Sequence, residues 1–416
     1  MTTNQQYFDL LKKIECADAT GALPPGGKPI VLARGKGSHV WDVEGRRYID
    51  LCAGFGSVSL GHNPEEIVKL FAEYQASEPK IFQGMGDVYP TDAKIAFLEY
   101  MLTLLPKRFE KLSLSLSGSG AIDTAIKSAI LSTKSAGFIS FEGGYHGLEL
   151  GLLPTVSRHD FRDPFDDWFG GTTRKLPWNC NARMIDQAIG ELSKAGVGFA
   201  GIILEPVQGR GGTRLPDAGW LQMICDRAHA QGGLVIFDEI FTGMGRSGVL
   251  AWAETYPCDI LCLGKGLGGG VPISLVAGTN QAMQGWPSDK SESIHTGTFF
   301  GHPFSCEIAH QVTRTIVDQD LVTRSKILGE QAKNYLLGRL DSGCFQEVRQ
   351  CGLMIAIETN AAGGGATLME SLKAEGVIAI PSGDHGQVLA LTPALNIPEV
   401  ILEHALDSVI SCVNRS

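Results

Sequence analysis

The sequence predicts an α/β fold: a large domain with a mostly parallel mixed sheet covered by helices, and a smaller α+β domain drawn from both termini. Two patterns carry this expectation. Between residues 112 and 278, short apolar runs alternate with helical stretches, the order expected of strands buried on both faces and joined by crossover helices. On either side of that block the pattern changes, to a hairpin before it and to helices followed by short alternating strands after it.

In chain order, residues 1–15 read as an amphipathic helix, with Tyr7, Phe8, Leu10, Leu11 and Ile14 at near-helical spacing. Residues 37–50 alternate around a turn at Glu44-Gly45 and read as a hairpin. A helical stretch over 92–105 is stopped by Pro106. The expected strands are Leu112–Leu116, Phe138–Phe141, Gly201–Leu204, Leu234–Asp238, Ile260–Leu263 and Leu275–Gly278, with helices such as Ile122–Ser132 and Trp220–Gln231 between them. After about residue 308 the chain is helical again. Strands at Glu347–Gln350 and Leu353–Glu358, a helix at Thr367–Ala374 and a last strand near Gln387–Leu391 follow. The expected division is an N-terminal segment, 1–60, contributing to the small domain, a large domain, 61–307, and a C-terminal small domain, 308–416.

Composition narrows the function. With 416 residues, 44% hydrophobic and 19% charged, the chain can bury a substantial core. A formal net charge of −10 argues against nucleic acid or an anionic membrane as a partner, but not against small anions held by local charge. No run approaches the roughly 18 apolar residues that cross a bilayer, and the first residues hold no apolar signal core. The ten cysteines contain no Cys-x-x-Cys pair and no Cys/His cluster with ligand spacing, so reduced thiols in a cytoplasmic protein without a metal are expected.

The 52 glycines gather in clusters at 54–61, 118–120, 143–147, 209–212 and 264–270, most of them beside chemically useful side chains. In Ser-Leu-Ser-Gly-Ser-Gly (115–120) a strand ends and a helix begins, so Gly118 and Ser119 could face a phosphate at a helix N-terminus; read alone, the serines are also ordinary helix caps. In Phe-Glu-Gly-Gly-Tyr-His-Gly (141–147), Tyr145 could stack on a ring and His146 hydrogen-bond beside it, or both could be core residues. Glu205 and Arg210, in Leu-Glu-Pro-Val-Gln-Gly-Arg-Gly-Gly, leave a strand at the sheet edge where α/β sites form, although Arg210 alone could be a surface ion-pairing residue.

The most informative pair is Asp238 and Lys265. Asp238 ends the apolar run Leu-Val-Ile-Phe, where a buried carboxylate requires a partner; a helix cap is the alternative reading. Lys265 stands in Leu-Gly-Lys-Gly-Leu-Gly-Gly-Gly, where apolar neighbours would depress its pKa and make the amine a nucleophile and base. An acid for a pyridine nitrogen and a lysine for an aldehyde are what pyridoxal phosphate (PLP) chemistry needs.

With these sites in order, the chain resembles a class III aminotransferase of the fold type I PLP family, from about residue 29 to the C-terminal region. The resemblance includes Trp41–Asp50, Leu60–Pro64, Tyr145-His146-Gly147, Glu205–Gly209, Asp238–Pro272 and Val348–Met354. It implies that Lys265 carries the cofactor and shuttles the proton, and that Asp238 pairs with the pyridine nitrogen. Tyr145 and Ile240 would cover the two ring faces, and Gly118 and Ser119 would hold the phosphate. Thr298 would reach the phosphate of a neighbouring subunit, so at least a homodimer is implied, and Phe55 and Ser57 would line the substrate entrance.

Three departures from the family pattern bear on substrate. Phe241 stands where many members have a glutamine, Arg210 where members acting on amino acids often have a glutamate, and Ala390 where they have an arginine. The resulting expectation is a ping-pong transaminase acting on an ω-amine or amino sugar-like compound and a keto acid, with Arg210 holding the keto acid's carboxylate. An aminomutase, a decarboxylating transaminase and a PLP-binding protein without turnover are the alternatives.

Overall fold

The computed structural model describes residues 2–16, 27–74, 76, 80–85, 88–287 and 293–415. Near the N-terminus, β1 (Leu32–Lys36), β2 (His39–Asp42) and β3 (Arg47–Asp50) form an antiparallel meander. The body is a seven-stranded sheet built from β4 (Lys111–Ser115), β5 (Phe138–Phe141), β6 (Thr173–Leu176), β7 (Gly201–Leu204), β8 (Leu234–Asp238), β9 (Ile260–Leu263) and β10 (Ser274–Gly278). Its order is β4-β10-β9-β8-β7-β5-β6. Every pairing from β9 to β6 is parallel, whereas β10 runs antiparallel to both β9 and β4.

Every residue of β5, β7, β8, β9 and β10 is buried, which is why these strands are continuous apolar runs rather than alternating ones. The helix Gly118–Thr133 lays a face of small residues, Ala121, Ala125 and Ala129, on one side of this sheet against Ile203, Ile236 and Val276. Small side chains let the helix approach the sheet closely. The amphipathic helices Ala182–Lys194 and Trp220–Ala230 bury Ile185, Leu192, Leu221 and Ile224 in the core on the sheet's other side.

The rest of the chain adds β11 (Glu347–Cys351), β12 (Met354–Glu358), β13 (Val377–Ile378), β14 (Ile380–Ser382) and β15 (Val388–Leu391). Four of these make a second sheet, in the order β11-β12-β15-β14, while β13 pairs in parallel with β3, placing Val377 opposite Ile49. N- and C-terminal segments thus share one sheet. Buried Arg246 ties the halves together: its Nη1 donates to Leu353 O (3.1 Å) and Pro393 O (2.5 Å), and burial lowers its pKa to about 10.

Most expected elements form within a residue or two of their positions. The edge strand β6 escapes the sequence reading because Thr-Arg-Lys-Leu is only partly buried and shows no apolar run. Among the described residues no disulfide links the cysteines, seven of which are buried, and no helix is long and apolar enough to cross a membrane.

Candidate active site

The parallel strands β5, β7, β8 and β9 end on the same edge of the sheet, and there a cavity of about 420 Å³ opens. Each strand end delivers a functional side chain to it. Tyr145 and His146 follow β5, Glu205 follows β7, Asp238 ends β8 and Lys265 follows β9. Gly118 and Ser119 begin the helix Gly118–Thr133, whose first turn is capped by the Ser117 hydroxyl accepting from Gly120 N (3.0 Å). The opposite wall is the β14–β15 hairpin, through Ile380, Ser382 and Ala390.

The buried charges are held in a network. Asp238 Oδ2 lies 2.8 Å from His146 Nδ1, and Asp238 Oδ1 accepts from Ile240 N (3.2 Å). Both side chains are buried, and His146 Nε2 has no partner among the described residues. Glu205 accepts from Tyr145 N (3.0 Å) and Gly209 N (2.9 Å), so one carboxylate fixes two loops. Burial pushes the Glu205 carboxyl up to about 7; His146 opposes the shift and Asp238 adds to it.

Burial lowers the pKa of the Lys265 amine, against the opposing pull of Asp238 and Glu205 and with the help of Arg210. Its backbone has φ +43°, in the left-handed region that a lysine rarely enters, and such conformations concentrate at functional sites. Arg210 is exposed at the cavity rim, its guanidinium 5.2 Å from the Tyr145 ring centroid and 5.4 Å from that of Phe161. Two aromatic faces hold the cation in one orientation.

Of the residues singled out in the sequence, Gly118, Ser119, Tyr145, His146, Glu205, Arg210, Asp238, Ile240 and Lys265 all line this cavity, and Phe55 half-exposed at its mouth does too. Ser57 does not. Its hydroxyl donates to Gly54 O (2.7 Å), because left-handed Gly54 and Phe55 fold the segment into a tight turn that directs Ser57 back onto its own backbone. Thr298 also lies outside the cavity of its own chain; it is exposed, and its carbonyl accepts from the Gln83 amide (2.5 Å). Sequence reasoning missed Phe161, Ile380 and Ser382. The Ser382 hydroxyl is buried with no partner among the described residues, a costly state for a polar group that a ligand can relieve. No local motif marks these three; they reach the site through tertiary folding.

The family model for class III aminotransferases matches residues 22–413. The chain belongs to the class III aminotransferases. Its relatives include the acetylornithine aminotransferase of Methanosarcina acetivorans, 31% identical over 94% of this chain and 92% of that protein. Among solved structures, the ornithine aminotransferase of Toxoplasma gondii ME49 superposes with a TM-score of 0.87 at 26% identity, covering 99% of this chain and 95% of that one. A PLP-bound amine transaminase from an uncultivated Pseudomonas species gives 0.84 at 25% identity, covering 96% and 98%. This class III aminotransferase therefore has the fold type I architecture and uses PLP.

The cavity suits that cofactor on its own terms. It offers a depressed-pKa amine, a buried carboxylate already held by a histidine, and an aromatic and an aliphatic side chain for a flat ring. The helix N-terminus already receives an anion of the chain itself: Glu149 Oε1 accepts from the Ser119 hydroxyl (2.6 Å) and from Ser117 (3.3 Å), so this end of the cavity suits a phosphate.

Proposed function

We propose that this aminotransferase moves an amino group between a terminal amine, amino sugar-like amines included, and a keto acid by a ping-pong cycle. The observation that carries the proposal is the charge arrangement in the cavity lining: Arg210, in the loop after β7, brings a held cation, while Ala390 on β15 brings none. An α-amino acid that must be gripped at its carboxylate while it donates has no guanidinium on the β15 side. A keto acid can use Arg210.

PLP, when bound, supplies an electron sink that acidifies the carbon bearing the amine. The protein's residues do the rest. Lys265 Nζ carries the cofactor and, with its pKa lowered by burial, takes the proton from that carbon and returns it one position away. Asp238, oriented by His146, offers a negative charge to the ring nitrogen. Gly118, Ser119 and the helix N-terminus bind the phosphate. Tyr145 and Ile240 cover the ring faces, and Phe55 flanks the entrance. Glu205 keeps the Tyr145 and Gly209 loops in register with each other.

The same reading makes the enzyme a homodimer in the cytoplasm, with exposed Thr298 reaching the partner's phosphate, and retains the division at residues 60 and 307. The lack of disulfides among the described residues and the surface position of the Thr298 loop support it. The names of the relatives favour a second reading, an amino acid with a terminal amine, of the ornithine type, as donor.

The test is a pair of half-reactions. Candidate amines are added to the PLP enzyme, bleaching of its visible absorbance is followed, and recovery with keto acids is measured. Recovery only with a keto acid is expected. CO₂ release, or turnover without an acceptor, would instead identify a decarboxylating transaminase or an aminomutase. Arg210→Ala should raise KM for the keto acid about 10- to 100-fold, the scale of a charge-assisted hydrogen bond, and leave KM for a monoamine nearly unchanged. Equal effects on both would refute the role of Arg210.

A further inference from the structure

Phe241 follows Asp238 by three positions and lines the cavity. The Lys265 amine sits over its ring, Nζ 4.7 Å from the centroid. That distance is within the range at which an aromatic face attracts a cation.

The ring has little freedom to leave. A Cβ on Gly209 would stand 2.1 Å from Phe241 Cδ1, and a Cβ on Gly56 would stand 2.7 Å from Cε2. Gly209 lies in the loop after β7 and Gly56 in the N-terminal segment, so backbone from two remote parts of the chain closes on one ring. At both positions glycine is required for close approach, and at Gly56 also for φ +77°.

A transaminase lysine must release the cofactor and take it back in every turnover, and between those events its amine is free. We infer that Phe241 is the resting seat of that free amine, and hence a positioning residue for Lys265. The ring keeps a long, flexible side chain aimed into the cavity, and it presents no hydrogen-bonding group that would compete for the bound ligand. The inference rests on the reading of Lys265 as the cofactor-bearing lysine.

Several charged or titratable groups face the amine. Asp238 at the end of β8 and Glu205 after β7 favour its cation, and Arg210 disfavours it. From the loop after β5 come Tyr145 and His146, the latter bonded to Asp238. The ring adds to the stabilisation of the cation. Weakening its π-face therefore lowers the pH at which the amine becomes reactive.

The test uses cofactor-free protein. PLP is trapped on Lys265 with borohydride at a series of pH values, and the site is confirmed by peptide mass mapping. Ring-fluorinated phenylalanines at position 241 keep the shape and weaken the π-face, and F241Y and F241L bracket them. The reactivity midpoint should fall progressively with fluorination and by about half to one pH unit in F241L, while F241Y stays close to the parent. A midpoint unchanged across the fluorinated series overturns the inference, even if F241L folds poorly. Absence of PLP from Lys265 in the parent protein would instead overturn the reading of the lysine itself.

Discussion

His146 Nδ1 and Asp238 Oδ2 meet at 2.8 Å, joining the ends of β5 and β8 across the intervening β7 with both side chains out of water. The pair fixes a negative charge at the floor of the cavity. His146→Ala leaves that carboxylate short of a hydrogen-bond partner. It should reduce kcat/KM about 10- to 100-fold, the usual effect of losing a buried orienting partner, and speed PLP loss on dialysis. Asp238→Asn should cost more, about 100-fold or beyond, because the charge itself goes. Wild-type cofactor retention and rate in His146→Ala would show that Asp238 needs no orientation.

Ala390 faces the cavity opposite Ile380 in the β14–β15 pairing. The double substitution Ala390→Arg, Arg210→Glu moves the cation from the loop after β7 to strand β15. We expect the ratio of kcat/KM for L-glutamate to that for a monoamine to rise by at least about tenfold, the value of one well-placed charge-assisted bond. Steady-state kinetics with both donors measure it, and an unmoved ratio would mean that the β15 wall does not read the donor.

Glu239 is fully buried and accepts from Trp252 N (2.8 Å) and Ala253 N (3.0 Å). Burial pushes its carboxyl up to about 8 in spite of those bonds. The folded state therefore holds this proton more tightly than the unfolded chain, and the resulting stability is fully present below about pH 4.5 and lost as pH rises to about 8. Glu239→Gln removes the titration. The Tm advantage of the parent over this variant should shrink steadily from pH 5 to pH 9 in thermal melts of the cofactor-free protein. A constant difference would mean that Glu239 does not titrate in this window.

The Gly209–Phe241 contact predicts a non-additive pair. Gly209→Ala should destabilise the protein by about 1–3 kcal/mol, the scale of overpacking. In a Phe241→Ala background the same change should cost clearly less, because the added methyl then has room. Urea unfolding of the four proteins in this cycle gives the coupling; strict additivity would mean that the backbone absorbs the clash elsewhere.

Legibility followed burial. Strands β5, β7, β8, β9 and β10 stand out in the sequence because they are buried on both faces and cannot carry polar residues cheaply. Edge strand β6 has no such constraint and left no pattern. Asp238 and Lys265 were visible for the opposite reason, as polar side chains set in apolar or glycine-rich surroundings. Ser57 stands outside the cavity lining because its direction depends on two left-handed residues before it, which no periodicity records.

What the sequence determined by itself is the set of fully buried strands, the mostly parallel character of their sheet and the side chains that stand at the strand ends. Parallel strands in a doubly covered sheet must end on one edge, so residues that follow them are brought together wherever they lie in the chain. The tertiary structure alone decided the substrate side of the cavity. Ser382 and Ile380 arrive on a hairpin more than a hundred residues beyond Lys265, Phe161 comes to support Arg210, and Gly56 and Gly209 close on Phe241 from opposite parts of the chain. Such contacts depend on packing between distant segments, and local spacing carries no trace of them.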